Sequence, residues 1–439
     1  MDKPIVVCDF DGTVNRYDVG SRILKTYLPE RWEEINYQYS VGKLNNNIIY
    51  SDIFIPLMNK KGKEILKNID SFLLPAKGFI EFYNFCNKNS YEMYILSDGF
   101  DFYIARFLEK FNFSINFIAN TLISNNGSGF AIKTRFPDEN CSSCGTCKSL
   151  ALKSLLKNKR QSVYIGDGVS DICPSRLPDA FFGKKKILNK IKKLAKNRAV
   201  SDFYFYDFLH LKSLFERIGR YRSVIFDLDG TLVDGFDIIY ESFNYALEQL
   251  GLEKLPAKKI KTVIGPALSE GFRRIVPAHL VDEGVKIYRA YYKERYLVRN
   301  KLFEGIRELL RSLKEKGVIV GLITNKKAPF AVELINYLKL DNYFDFVVGA
   351  DDGMLPKPDS MMMDKIVEKF SLNKSEIIYV GDSEVDGAFS QNSNVDFIAV
   401  GTGLGKERNL YRYKPLTFCE NIEALKRVLY YLIPKKECI

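Results

Sequence analysis

Ile5-Val6-Val7-Cys8-Asp9-Phe10-Asp11-Gly12-Thr13-Val14 stands near the start of the chain. Val224-Ile225-Phe226-Asp227-Leu228-Asp229-Gly230-Thr231-Leu232-Val233 repeats its pattern in the middle. Each is an apolar run that ends in two carboxylates spaced i, i+2 and then Gly-Thr. A run of this length reads as a strand buried on both faces of a parallel sheet. Open α/β sheets place ligands beyond the carboxyl ends of such strands. In extended backbone, side chains at i and i+2 point the same way, so both carboxylates face one site. Two acids at a buried strand end are costly unless a cation or another partner compensates them.

Further along, each half carries the same features in the same order. A strand-end hydroxyl comes first: Tyr91–Leu96 leads to Ser97-Asp98-Gly99, and Val318–Ile323 leads to Thr324-Asn325. A lysine follows, Lys148 and Lys357, lying 139 and 130 residues beyond the leading aspartate. A strand ending in Gly-Asp-x3-Asp closes each series, with Asp167 and Asp171 in the first half and Asp382 and Asp386 in the second. Strands alternating with amphipathic helices such as Ala76–Asn89 and Gly305–Lys316 predict α/β architecture with parallel sheets. The repeat is far longer than a solenoid unit, so two tandem domains are expected, 1–219 and 220–439. Segments without strand-like alternation, about 14–74 and 234–300, read as mostly helical inserts after the first strand of each.

Composition suits a globular protein, with 439 residues, 46% of them hydrophobic and 27% charged. No apolar run reaches the ~20 residues of a membrane span, and Asp9 comes too early for a cleavable signal, so a cytoplasmic location without membrane partners is expected. Eight cysteines do not make a disulfide scaffold. Cys141, Cys144 and Cys147 have zinc-compatible spacing, with Cys173 as a fourth candidate; the alternative is a tight turn that presents Lys148. The net charge of +11 suits anionic substrates through steering. The basic stretch Lys184–Arg198 reads as a solvated amphipathic helix, because no aromatic residues or nucleic-acid motif accompany it. His210 and His279 read as incidental.

The constellation suggests phosphoryl chemistry. A strand-end carboxylate can attack phosphorus and form an aspartyl phosphate that water later opens, which assigns Asp9 and Asp227 as nucleophiles. Asp11 and Asp229, two residues on, fit a general acid that later serves as base. A hard cation is needed between carboxylate and phosphate, and Mg²⁺, one per domain, suits the acids. Its candidate ligands are Asp9, Asp11, Asp167 and Asp171, and Asp227, Asp229, Asp382 and Asp386. Asp171 and Asp386 read equally as acids at a helix N-terminus. Gly12, Thr13, Ser97 and Lys148, with Gly230, Thr231, Thr324 and Lys357, are the candidate phosphate-binding residues.

This set resembles the haloacid dehalogenase superfamily in its Mg²⁺-dependent phosphatase branch, once per half. The resemblance implies two Rossmann-like cores, each with a helical cap in the insert, and small phosphorylated metabolites as substrates. The first half is similar to the phosphoserine-phosphatase-like group, including 2-hydroxy-3-keto-5-methylthiopentenyl-1-phosphate phosphatases. That likeness rests on Asp18, Ser97-x-Gly99-x-Asp101-Phe102 and the cysteines running into Lys148. The second half is similar to phosphoglycolate phosphatases and their pyrophosphatase and nucleotidase relatives, through Thr324-Asn325, Lys357-Pro358 and Gly381-Asp382-Ser383. A phosphomutase, or a phosphometabolite-binding protein with one catalytic half, are the competing readings.

Overall fold

A computed structural model describes residues 3–125, 129–138, 144–156, 161–178, 180–184, 203–264, 267–350 and 353–434. The chain forms two compact units, Met1–Phe215 and Glu216–Ile439. Residues just past Phe215 join the second unit because their bonds lead there. Arg217 and Tyr221 both donate to Asp396, and the Arg222 amide donates to the Glu376 carbonyl.

In unit 1 the strands are β1 (Ile5–Cys8), β2 (Met93–Phe100), β3 (Asn116–Asn125), β4 (Gly129–Lys133), β5 (Ser162–Gly166), β6 (Ala180–Lys184) and β7 (Phe203–Phe205). They form one sheet in the order β4-β3-β2-β1-β5-β6-β7, parallel throughout except for β4. β1 therefore lies between β2 and β5, and Val6, Val7 and Cys8 are fully buried, as the apolar run requires. Strands β3 and β4 form an antiparallel hairpin paired from Thr121–Lys133 to Asn125–Gly129. The hairpin supports the insert: a Cβ at Gly62 would lie 2.5 Å from the Phe130 ring, and Asn59 Oδ1 accepts the Phe130 amide.

Unit 2 contains β8 (Ser223–Phe226), β9 (Val233–Asp234), β10 (Lys301–Leu302), β11 (Ile319–Ile323), β12 (Phe346–Val348), β13 (Ile377–Gly381), β14 (Asp396–Val400) and β15 (Thr417–Cys419). Six of them make a parallel sheet, β12-β11-β8-β13-β14-β15, in which β8 holds the same central place as β1. Its packing is tight at Gly321, where a Cβ would lie 2.1 Å from the Phe346 ring.

Both inserts are helical, and each leaves and rejoins its core through a paired neck. In unit 1 the helices are Val19–Tyr27, Pro29–Ser40, Asn46–Ile49 and Ile55–Asn68, with a π-helical turn at Tyr50–Phe54. Fully buried Asn15 stitches their neck, donating to the Tyr17 and Phe72 carbonyls and accepting the Leu74 amide. In unit 2 the helices are Phe236–Gln249, Ala257–Ile260, Leu268–Arg273 and Val281–Arg299. Their neck is the antiparallel pair β9–β10, which sequence reading passed over because each strand is two residues long. No helix among the described residues is long and apolar enough to cross a membrane. Most of the basic stretch, residues 185–198, and Cys141 lie outside the described residues.

Gly321→Ala should overpack the centre of the second sheet at a cost of about 1–3 kcal/mol. Thermal unfolding of the whole chain would show this as a lowered transition for unit 2 with that of unit 1 unchanged.

Candidate active sites

The carboxyl ends of β1 and β8 carry the leading acids into the sheet's crevice. The Asp9 amide donates to the Ile165 carbonyl at 2.8 Å and the Asp227 amide to Val380 at 2.9 Å, so each aspartate is held against the strand that delivers the late acids. Both are buried, at 3% and 7% exposure. Burial pushes Asp9 well above the usual carboxylate range, with Asp171 adding to the rise and Lys148 opposing it. Burial likewise raises Asp227 to about 7, against the pull of Lys357.

Each site is built on a lysine between two carboxylates. Lys148 Nζ lies 2.6 Å from Asp9 Oδ1 and 2.8 Å from Asp171 Oδ1; Lys357 Nζ lies 2.6 Å from both Asp227 Oδ1 and Asp386 Oδ1. Burial lowers each lysine's pKa, but its two carboxylate neighbours outweigh that and hold both ammonium groups above the ordinary value. Lys148 is the first residue of the helix Lys148–Leu155, and Cys147, at the N-cap position, donates its amide to the Phe136 carbonyl. Cys147 Sγ lies 3.7 Å from Asp138. The groups of acids near enough to share a cation, among the described residues, contain no cysteine.

Asp171 and Asp386 are saturated with donors. Asp171 accepts from Lys148, the Tyr164 hydroxyl and the amides of Asp167 and Gly168. Asp386 accepts from Lys357, the Tyr379 hydroxyl, and the amide and hydroxyl of Ser383. A Cβ at Gly166 or Gly381 would come within 2.5 or 2.4 Å of these side chains, which explains the glycine before each late acid. Gly12 and Gly230 have φ of +76° and +86°, and a Cβ on either would lie 2.7 Å from the Asp167 or Asp382 carboxylate. The left-handed backbone and the close carboxylate both require glycine there.

Asp9, Asp167 and Asp171 form one group whose oxygens lie within 4.8 Å of one another, and Asp227, Asp382 and Asp386 form the other. Burial raises Asp167, and it raises Asp382 well above the ordinary value. Three carboxylates against one ammonium leave a negative excess in a poorly solvated place, and a set of hard oxygen donors fits a divalent cation of the Mg²⁺ kind. The Asp11 and Asp229 side chains stand outside both groups. Thr13 and Thr231 are fully buried and turn their hydroxyls onto Asp167 and Asp382, so they brace the late acids. Carbonyls of the intervening glycines are held too, Gly12 by Lys184 and Gly230 by Thr402.

The acids two residues on differ between the units. Asp11 is surrounded by neutral donors: the Val19 amide at 2.8 Å, the Tyr103 hydroxyl at 2.9 Å and the Ser97 hydroxyl at 3.3 Å. Burial, with the nearby charge of Asp18, raises it to about 7. Asp229 instead pairs with buried Lys326 at 2.9 Å, and Lys326 also donates to the Tyr292 hydroxyl of the insert. Ser97, within β2, and Thr324, just beyond β11, are buried and accept the amides of Gly99 and Lys326.

Sequence reasoning missed Tyr103, Tyr164, Tyr379, Lys326 and Asp98. The tyrosines sit inside apolar strands or helices, where they read as core. Tyr164 and Tyr379, each three residues before a late acid, carried the one available signal, a shared position in the repeat. Asp98 accepts Asn46 Nδ2 of the insert at 2.6 Å and the Thr146 amide of the loop leading to Lys148 at 2.9 Å, and burial raises it to about 6.

Lys148→Met and Lys357→Met each leave two buried carboxylates uncompensated and should destabilise their own unit by about 3–5 kcal/mol. Denaturant unfolding would reveal this; an unshifted transition would show that the lysine is not the clamp. Asp98→Ala strands two donors at about 1–3 kcal/mol for each buried group left unpaired. Limited proteolysis should then cut the insert of unit 1 faster than in the parent chain.

Two family models, each described as haloacid dehalogenase-like hydrolase, match residues 6–174 and residues 224–400. The chain is 30% identical over 213 residues to a 5'-nucleotidase of Pseudomonas aeruginosa, covering 48% of this chain and 96% of that protein. Pyrophosphatase PpaX of Halalkalibacterium halodurans is 30% identical over 194 residues, 44% of this chain and 90% of the relative. A phosphoglycolate phosphatase of Nitrosospira multiformis is 28% identical over 198 residues, 43% and 87% of the two chains. Each of these relatives is nearly spanned by less than half of this chain, as expected when two family-sized units lie in tandem. The chain belongs to the haloacid dehalogenase-like hydrolases, with one match in each unit.

Proposed function

We propose that the protein is a Mg²⁺-dependent phosphatase of small phosphate monoesters with one active site in each unit. The observation that carries this reading is the duplicated buried lysine between Asp9 and Asp171, and between Asp227 and Asp386, with a second acid two residues beyond each leading aspartate. The names of the relatives, a 5'-nucleotidase, a pyrophosphatase and a phosphoglycolate phosphatase, support the reaction class.

Asp9 Oδ1 is occupied by Lys148 and the Phe10 amide, which leaves Oδ2 as the attacking oxygen. Its lone pair forms the bond to phosphorus as the bond from phosphorus to the ester oxygen breaks. Asp11 delivers a proton to the departing oxygen. In the second step Asp11 takes a proton from water, the water oxygen attacks phosphorus, and inorganic phosphate leaves as the Asp9 carboxylate is restored. Lys148 offsets charge on the nucleophile, and Ser97 orients the ester. Asp227, Asp229, Lys357 and Thr324 take the same parts in unit 2. The cation would be held by oxygens drawn from Asp9, Asp167 and Asp171, and from Asp227, Asp382 and Asp386. When bound, it neutralises charge between the nucleophile and the phosphate. The Asp11 side chain, held by neutral donors, and the Asp229 side chain, paired with Lys326, lie apart from these groups.

On the 439-residue chain, Asp9→Asn and Asp227→Asn should each remove part of the hydrolysis of p-nitrophenyl phosphate, and the double variant all of it. Activity surviving in the double variant would refute the mechanism. Chelation should abolish turnover and added Mg²⁺ restore it. In an Asp227→Asn background, Asp11→Asn should slow alkyl phosphate hydrolysis by about 10²–10⁴-fold. Loss on the nitrophenyl ester should be smaller, because that leaving group departs without a proton.

A further inference from the structure

The strand beside the late-acid strand ends differently in the two units. In unit 1, β6 runs parallel to β5 with Gly183 opposite Gly166. The next residues, Lys184 and Asp167, therefore leave the sheet side by side. In unit 2, β14 runs parallel to β13 with Ala399 opposite Gly381, and the next residues are Val400 and Asp382. A half-buried lysine thus holds in unit 1 the register place of a fully buried valine in unit 2.

The lysine reaches the acids. Its Nζ donates to the Gly12 carbonyl, and Gly12 is where a Cβ would lie 2.7 Å from the Asp167 carboxylate. Burial raises Asp167, and the charge of Lys184 is the strongest influence opposing that rise. Neutral groups serve the matching places in unit 2. The Thr402 hydroxyl donates to the Gly230 carbonyl at 2.6 Å, and the Leu404 amide donates to Asp382 Oδ2 at 2.9 Å. Lys148 and Lys357 sit alike between two carboxylates, so they do not distinguish the clusters. Lys184 is the added charge.

A divalent cation held by Asp9, Asp167 and Asp171 would share Asp167 with this ammonium. Positive charges around one poorly solvated carboxylate repel each other, and the repulsion there reaches over several ångströms. We propose that Lys184 is a tethered cation of the unit 1 site, which competes with the divalent cation for Asp167 and weakens its binding. This deepens the Mg²⁺-dependent reading and rests on it. The cavity above the unit 1 site, ≈150 Å³, has Lys148 on its wall but not Lys184, so Lys184 meets the acid cluster rather than the ester. Above the unit 2 site the cavity is ≈470 Å³, with Lys261, Arg289, Lys326, Lys327 and Lys357 on its walls. Those charges, and Asp11 and Asp18 in unit 1, stay the same when Lys184 alone is changed. The effect of Lys184 is therefore read within unit 1.

The test measures binding of Mn²⁺, which carboxylate oxygens also suit, through the electron paramagnetic resonance signal of the free ion and without substrate. The 439-residue chain carries Asp382→Asn, which breaks the acid cluster of unit 2. In that background Lys184→Gln can still donate to the Gly12 carbonyl but carries no charge, and Lys184→Met loses both. Each should bind Mn²⁺ about ten- to a hundredfold more tightly than the Asp382→Asn chain, the scale of one nearby charge partly screened. Lys184→Arg keeps the charge and should leave the affinity where it was. Circular dichroism of the same samples verifies that the variants are folded. Unchanged or weaker binding in either neutral variant, or equal tightening in the arginine variant, would overturn the inference. Asp167→Asn separates the two levels. If it removes Mn²⁺ binding while the lysine variants leave binding unchanged, only the tethered-cation role falls. If the Asp382→Asn chain binds no Mn²⁺ at all, the cation-dependent reading of unit 1 falls with it.

Discussion

A buried ammonium between two carboxylates is the constraint on which each unit depends. The parallel sheet brings the end of its central strand beside the strand with the late acids, and three carboxylates meet there with little solvent. Without compensation such a cluster would neutralise itself or unfold. Lys148 and Lys357 supply one charge each from inside the cluster, and Tyr164 and Tyr379 fill a further lone pair. The glycines follow from the same crowding. Gly12, Gly166, Gly230 and Gly381 stand where a Cβ would collide with an aspartate.

The remaining negative excess is what suits each site to a divalent cation. A single lysine cannot satisfy three acids, and burial accordingly raises Asp9, Asp167, Asp227 and Asp382. The lysine and tyrosine donors compensate part of that charge in each site. The clamp therefore serves both stability and the proposed chemistry.

Beyond the clamp the two units part. The acid two residues beyond the leading aspartate faces a tyrosine and a serine hydroxyl in one unit and a lysine in the other. The inserts hang on separate necks, Asn15 in one and the β9–β10 pair in the other. A segment that leaves and rejoins the core at one place can change its helices and wall residues without disturbing the sheet. This accounts for cavities of such different size and charge over cores that bring together the same kinds of group.

Much of this was legible in sequence because it is local or periodic. An apolar run ending in Asp-x-Asp-Gly-Thr specifies a buried strand with two acids on one face, and its recurrence with a hydroxyl, a lysine and a late acid specifies two α/β cores. The helical character of the inserts was equally plain from their lack of alternation. What the tertiary structure decided is which groups meet. Asp171 and Asp386 hold the lysines, Thr13 and Thr231 brace the late acids, Asp98 ties the insert to the lysine loop, and Lys326 reaches Asp229 and an insert tyrosine. Residue spacing records distance along the chain. Charge balance and hydrogen bonding depend on distance in space, and only folding sets that.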